Sequence, residues 1–212
     1  MAATYSPREE LAHSFTHGLG VALSVVGLVL MVSFSHRYGD LVHVVSTAIF
    51  GFTLVLLYTS STLYHSIRGV RAKQILRKFD HAAIFLLIAG SYTPFLLVTL
   101  HGAWILFFVV WGLAAIGVGL KFWYAGQFRV VSTLIYIGMG WLVMVVLKPL
   151  ATALPHNGLV WLFAGGLCYT GGTLFYLWKR LPYHHAIWHL FVLGGSVCHW
   201  MAIFYYVVPR TT

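Results

Sequence analysis

The sequence predicts an all-α membrane protein, a bundle of seven transmembrane helices with the N-terminus in the cytoplasm and the C-terminus outside. Three observations predict it. Apolar residues make up 60% of the 212 positions and charged residues 8%, where a soluble domain carries about 25% charged residues. The mean hydropathy is +0.86, and the apolar residues fall into seven runs, each near the ~20 residues that cross the hydrocarbon. The basic residues occupy the gaps between those runs, where they orient membrane helices. That placement excludes a nucleic-acid partner despite the formal charge of +9.

Ser6-Pro7-Arg8-Glu9 reads as a helix start: Ser6 caps, Pro7 suits the first helical position and Glu9 completes a capping box. A short amphipathic segment follows with Glu10, His13 and His17, and Gly18 and Gly20 loosen the start of the first span, 17–35. The N-terminus lacks the basic region of a cleaved signal peptide, so this span is expected to stay in the mature protein. The remaining spans are read at 43–65, 81–100, 103–122, 130–149, 158–178 and 186–208. The gaps are too short for a soluble domain, so residues 1–212 are expected to form one transmembrane domain. Pro94 should kink the third span by freeing the Gly90 carbonyl, with Ser91 or Thr93 placed to satisfy it. Gly165-Gly166, Gly171-Gly172 and Gly194-Gly195-Ser196 read as close-packing helix surfaces. Cys168 and Cys198 both lie inside spans and read as core residues rather than a disulfide.

Ten of the thirteen Lys and Arg residues fall on the side of the N-terminus; Arg37, Lys148 and Arg210 fall on the other. The positive-inside rule therefore places the N-terminus in the cytoplasm, and an odd number of spans places the C-terminus outside.

This topology brings three helix ends to one membrane depth. The second span ends in Ser61-x3-His65, the third begins at Asp80 and the seventh begins with His185 and His189. Residues four apart share a helix face, and imidazoles just inside a membrane span are costly without an occupant between them. His65, His185 and His189 are the expected ligands of a Zn²⁺ ion, three imidazoles with a fourth position for water being the open, catalytic arrangement. Asp80 is the only carboxylate expected to reach the site, since Glu9 and Glu10 lie in the tail. Its expected role is general base towards the bound water; direct coordination stays open. Ser61, one turn before His65, is read as orienting a ligand or contacting substrate. His13 and His17 form a second four-residue pair, read as part of the bundle mouth. His36, His43, His101, His156 and His199 read as interfacial residues or interhelical hydrogen bonds.

These motifs resemble those of the progestin and adiponectin receptor superfamily. Ser61-Thr62-Leu63-Tyr64-His65, Phe79-Asp80-His81 and His185-Ala186-Ile187-Trp188-His189 are similar to the bacterial haemolysin III branch. Glu10 and Thr16-His17 fit the first motif of that group, with His13 standing where Asn is usual. The resemblance implies seven helices in a bacterial inner membrane, a cytoplasmic N-terminus and a zinc held by three histidines with a water bridging to the aspartate. It also implies a link to membrane zinc hydrolases of ceramide-like lipid amides. Three functions compete. The first is hydrolysis of a membrane-lipid amide or ester. The second is a non-catalytic role in lipid homeostasis or signalling with zinc as a helix clamp. The third is a pore, which the scarcity of ionisable groups in the outer halves of the spans disfavours. A homo-oligomer is compatible with the sequence, although no span offers a compelling interface.

Overall fold

The computed structural model describes residues 5–124 and 127–209. Among these residues the chain is helical, with no strand. Seven helices are long and apolar enough to cross a membrane: α1 Pro7–Tyr38, α2 Leu41–Ser66, α3 Val70–Thr99, α4 Trp104–Tyr124, α5 Arg129–Ala153, α6 His156–Leu177 and α7 His184–Tyr206. Large side chains such as Phe52, Ile105, Ile116, Val145 and Leu174 are exposed on the outside of the bundle, as a lipid-facing surface requires. Neighbours in sequence pack on each other, α1 on α2, α2 on α3, α3 on α4 and α6 on α7, and α7 returns to close against α1.

Two helices begin earlier than the hydropathy windows. α1 starts at Pro7 with the expected Ser6–Glu9 capping box and runs unbroken through Gly18 and Gly20 for 32 residues. The amphipathic segment is its first turns. Gly20 serves packing, because a Cβ there would collide with the Tyr58 ring of α2. α3 starts at Val70, eleven residues before its apolar window, so Arg71, Lys73, Arg77 and Lys78 stand on helix rather than in a loop. Apolar windows locate hydrocarbon, while helices continue past it wherever capping and side-chain partners allow. Arg210, used in orienting the chain, lies outside the described residues.

Pro94 does not leave a simple kink. The backbone widens into a π turn over Phe95–Thr99, closed by the Leu100 N–H on the Phe95 carbonyl at 2.9 Å. Thr93 Oγ1 bonds the Ala89 carbonyl at 3.0 Å and Ser91 Oγ the Ile88 carbonyl at 2.8 Å, so neither serves Gly90. Each hydroxyl reaches back three or four residues, the geometry a helical Ser or Thr favours. A second irregularity, the 3₁₀ stretch Trp141–Val146 within α5, is held by Tyr92. Its hydroxyl lies 2.7 Å from the Gly140 carbonyl and accepts from the Val143 N–H at 2.8 Å. Irregular backbone at membrane depth needs such an internal partner.

The glycine pairs divide. Cβ atoms on Gly165, Gly172 and Gly195 would strike side chains of the facing helix, whereas Gly166, Gly171 and Gly194 have ordinary clearance. Cys168 and Cys198 are free thiols, each partly exposed. Asp40 caps α2 by accepting the His43 N–H, and its carboxylate pairs with the His43 ring at 2.7 Å.

Candidate metal centre

Four helix segments meet at one end of the bundle. The first turns of α1 bring Glu10, His13, Thr16 and His17, whose spacings of three and four place them on one face. The last turns of α2 bring Ser61 and His65, α3 brings Asp80, and the first turns of α7 bring His185 and His189. Tyr5, just before α1, lies over the cluster with its ring stacked on His185 at 5.3 Å. Burial pushes the Tyr5 phenol up from its ordinary range.

His65, His185 and His189 are all buried, and one ligand atom from each lies within 4.8 Å of the others. Their ring centroids are 4.6–5.2 Å apart. The hydrogen bonds around them set which nitrogen is available. His65 Nδ1–H donates to Glu10 Oε2 at 2.6 Å, and His65 Nε2 is buried without a partner. His189 Nδ1–H faces the His13 carbonyl at 3.2 Å and Thr16 Oγ1 at 3.1 Å, which leaves its Nε2 as the lone-pair nitrogen. His185 Nδ1 has no partner. Buried imidazole nitrogens are normally paired, so lone pairs without partners on converging rings fit a metal of the kind that takes neutral imidazole, zinc foremost.

Glu10 was expected in the tail, away from the site. It reaches the site because α1 already begins at Pro7, which sets Glu10 level with the end of α2. Its other oxygen, Oε1, is 2.6 Å from Lys73 Nζ on α3. A carboxylate on the far nitrogen of a ligating histidine fixes the ring and raises its basicity. His13 and His17 likewise belong to the same cluster as His65, His185 and His189 rather than to a separate pair. The His13 ring is 4.7 Å from that of His65, and His17 stacks on His189 at 3.5 Å. The capping box at Ser6, followed by Glu10, His13 and His17 at helical spacing, is the sequence signal for this placement.

Asp80 and Ser61 line a cavity of about 140 Å³ that also touches His17, His185 and His189. It continues between α3, α5, α6 and α7 past Phe95 and Leu96 to Leu150 and His199. Asp80 faces His81 Nδ1 at 3.3 Å. Ser61 Oγ is buried without a hydrogen-bond partner, and the hydrogen bonds to the rings of His65 and His189 come from Glu10, Thr16 and the His13 carbonyl. His199 bonds the Leu162 carbonyl of α6 at 3.2 Å, the interhelical role expected of it.

The family model described as haemolysin-III related matches residues 5–200. The chain belongs to the haemolysin III family. It is 46% identical over 206 residues to a protein of Bacillus subtilis (strain 168) named hemolysin-3 homolog, covering 96% of this chain and 97% of that protein. It is 44% identical over 207 residues to hemolysin-3 of Bacillus cereus, covering 97% and 94%. A more distant likeness reaches the human monocyte to macrophage differentiation factor, at 31% identity over an alignment of 219 residues that covers 96% of this chain and 87% of that protein. This haemolysin III chain thus carries a three-histidine group at one end of its bundle, close enough to hold a metal ion.

Proposed function

We propose that this haemolysin III protein is a bacterial inner-membrane hydrolase of a lipid amide or ester, with zinc on His65, His185 and His189. The observation that carries the reading is that His185 and His189 of the histidine group line one end of a cavity with largely apolar walls, with the Asp80 carboxylate on its wall. A zinc ion there would supply Lewis acidity towards a carbonyl and lower the pKa of a nearby water. The chain's residues do the rest. Glu10, Thr16 and the His13 carbonyl hold the rings of His65 and His189 in fixed tautomers. Asp80 takes a proton from the attacking water and delivers it to the leaving nitrogen or oxygen. The unpartnered Ser61 hydroxyl donates to the substrate's polar head, and the walls around Phe95, Leu96 and Val192 take an acyl chain. The N-terminus lies in the cytoplasm in this reading, so the site faces the inner leaflet. Metal content of purified protein, followed by a lipid amide and ester hydrolysis screen of wild type beside Asp80→Asn, tests it. One zinc per chain with Asp80-dependent cleavage supports the reading, and metal-loaded protein that cleaves nothing across the panel refutes it.

A second reading rests on a different observation. The ligands come from α2 and α7, both of which pack on α1. A metal joining them would clamp α2 to α7, and the protein would then serve lipid homeostasis or signalling without catalysis. Full cellular function in a zinc-retaining Asp80→Asn variant would favour it.

A further inference from the structure

We propose a second metal position, formed by Glu10, His13 and His65, through which a divalent ion passes on its way to the three-histidine centre. It stands apart from the hydrolase reading and needs only that the inner centre takes a metal. Glu10, His13 and His65 offer one ligand atom each within 4.8 Å of one another. His13 is fully buried, and neither of its ring nitrogens has a hydrogen-bond partner. Its Nδ1 is 3.7 Å from Glu10 Oε2, too long for a hydrogen bond. It is close to the spacing of about 3.3 Å that two ligand atoms have on one tetrahedral ion. Lys73 occupies Glu10 Oε1 and leaves Oε2 turned to the two imidazoles. Two nitrogens and one carboxylate oxygen form a donor set for a borderline divalent ion such as Zn²⁺ or Co²⁺.

The gradient of exposure gives the direction. The side chain of Glu10 is 21% exposed and that of Lys73 29%, while those of His13 and His65 are sealed. An ion arriving from water meets the carboxylate first. His65 belongs to both groups, and its ring serves one ion at a time. Ligating the outer ion through Nδ1 places the ring proton on Nε2. Ligating the inner ion through Nε2 returns the proton to Nδ1, where it donates to Glu10 as observed. The His13 ring lies 4.9 Å from His185 and 5.5 Å from His189, so the transfer is short.

The test uses full-length protein in detergent and Co²⁺ as the probe, read by bound-metal analysis and visible absorption. The double variant His185→Ala/His189→Ala removes the inner centre; it should retain about one Co²⁺ per chain and lose it when His13→Asn is added. A monodisperse double variant that binds no Co²⁺ overturns the outer position. Should the double variant aggregate, His13→Asn alone decides. Metal-stripped His13→Asn should reach the wild-type end-point at least tenfold more slowly. An unchanged rate overturns the proposal, and so does a lowered end-point, which would make His13 a ligand of the inner centre. In every case the end-point of His13→Asn reports on the three-histidine centre separately.

Discussion

His189 and His199 lie on the same helix, ten residues apart, and both are buried. Their surroundings make them different residues. His199 sits against Gly165, where only a glycine leaves room for the ring, and spends its Nε2–H on the Leu162 carbonyl. It joins α6 to α7 and is alone of its kind at that depth among the described residues. His189 has its Nδ1–H held by α1, which leaves Nε2 as its lone-pair nitrogen, and its ring lies 5.2 Å from that of His65 and 4.6 Å from that of His185. A single buried histidine satisfied by a carbonyl is a helix fastener; a histidine whose far nitrogen is fixed and which converges with two others is placed to hold a metal ion. Burial and residue type do not separate the two cases, and the hydrogen-bond inventory does.

Four substitutions break or sharpen that contrast. The largest effect is expected from His189→Ala, which should reduce bound zinc from one per chain to near zero, while His199→Leu leaves it unchanged; metal analysis of both purified variants reads the difference. Asp80→Asn should keep the zinc and lower any lipid hydrolysis by 10²–10⁴-fold, the usual loss on removing a general base. Glu10→Gln removes the carboxylate behind His65 and should weaken zinc affinity 10–100-fold, measured by chelator competition; an unaltered affinity would show that the 2.6 Å contact does not tune the site. His199→Leu should cost about 1 kcal/mol through the lost interhelical bond, visible as a small drop in melting temperature in detergent with metal binding intact.

Much of the fold was legible because hydrocarbon imposes it. Seven apolar runs separated by basic gaps have few alternative readings, and the depth at which His65, Asp80 and His185 meet follows from connectivity alone. What the apolar windows hid were the helix extensions. Glu10 looked like tail because hydropathy ends before it, yet the capping box at Ser6 carries α1 outward and turns Glu10 onto His65. The same extension gathers His13 and His17 into the cluster. The role of Tyr92 could not be read from sequence, since it depends on α3 meeting α5 where α5 loses its regular turns.

The length of α1 has a consequence for sidedness. Its 32 residues span about 48 Å at 1.5 Å per residue, against about 30 Å of hydrocarbon. The surplus carries the Glu10–His17 stretch to one rim of the bilayer, and the site is built at that rim. The cavity beneath it extends into the membrane from the same side. On the hydrolase reading proposed above, the chain is a one-leaflet device. It would then draw on lipids of the monolayer at that rim, while those of the opposite monolayer would reach it only after crossing the bilayer. Lipid hydrolysis at such a site would act on the two monolayers asymmetrically.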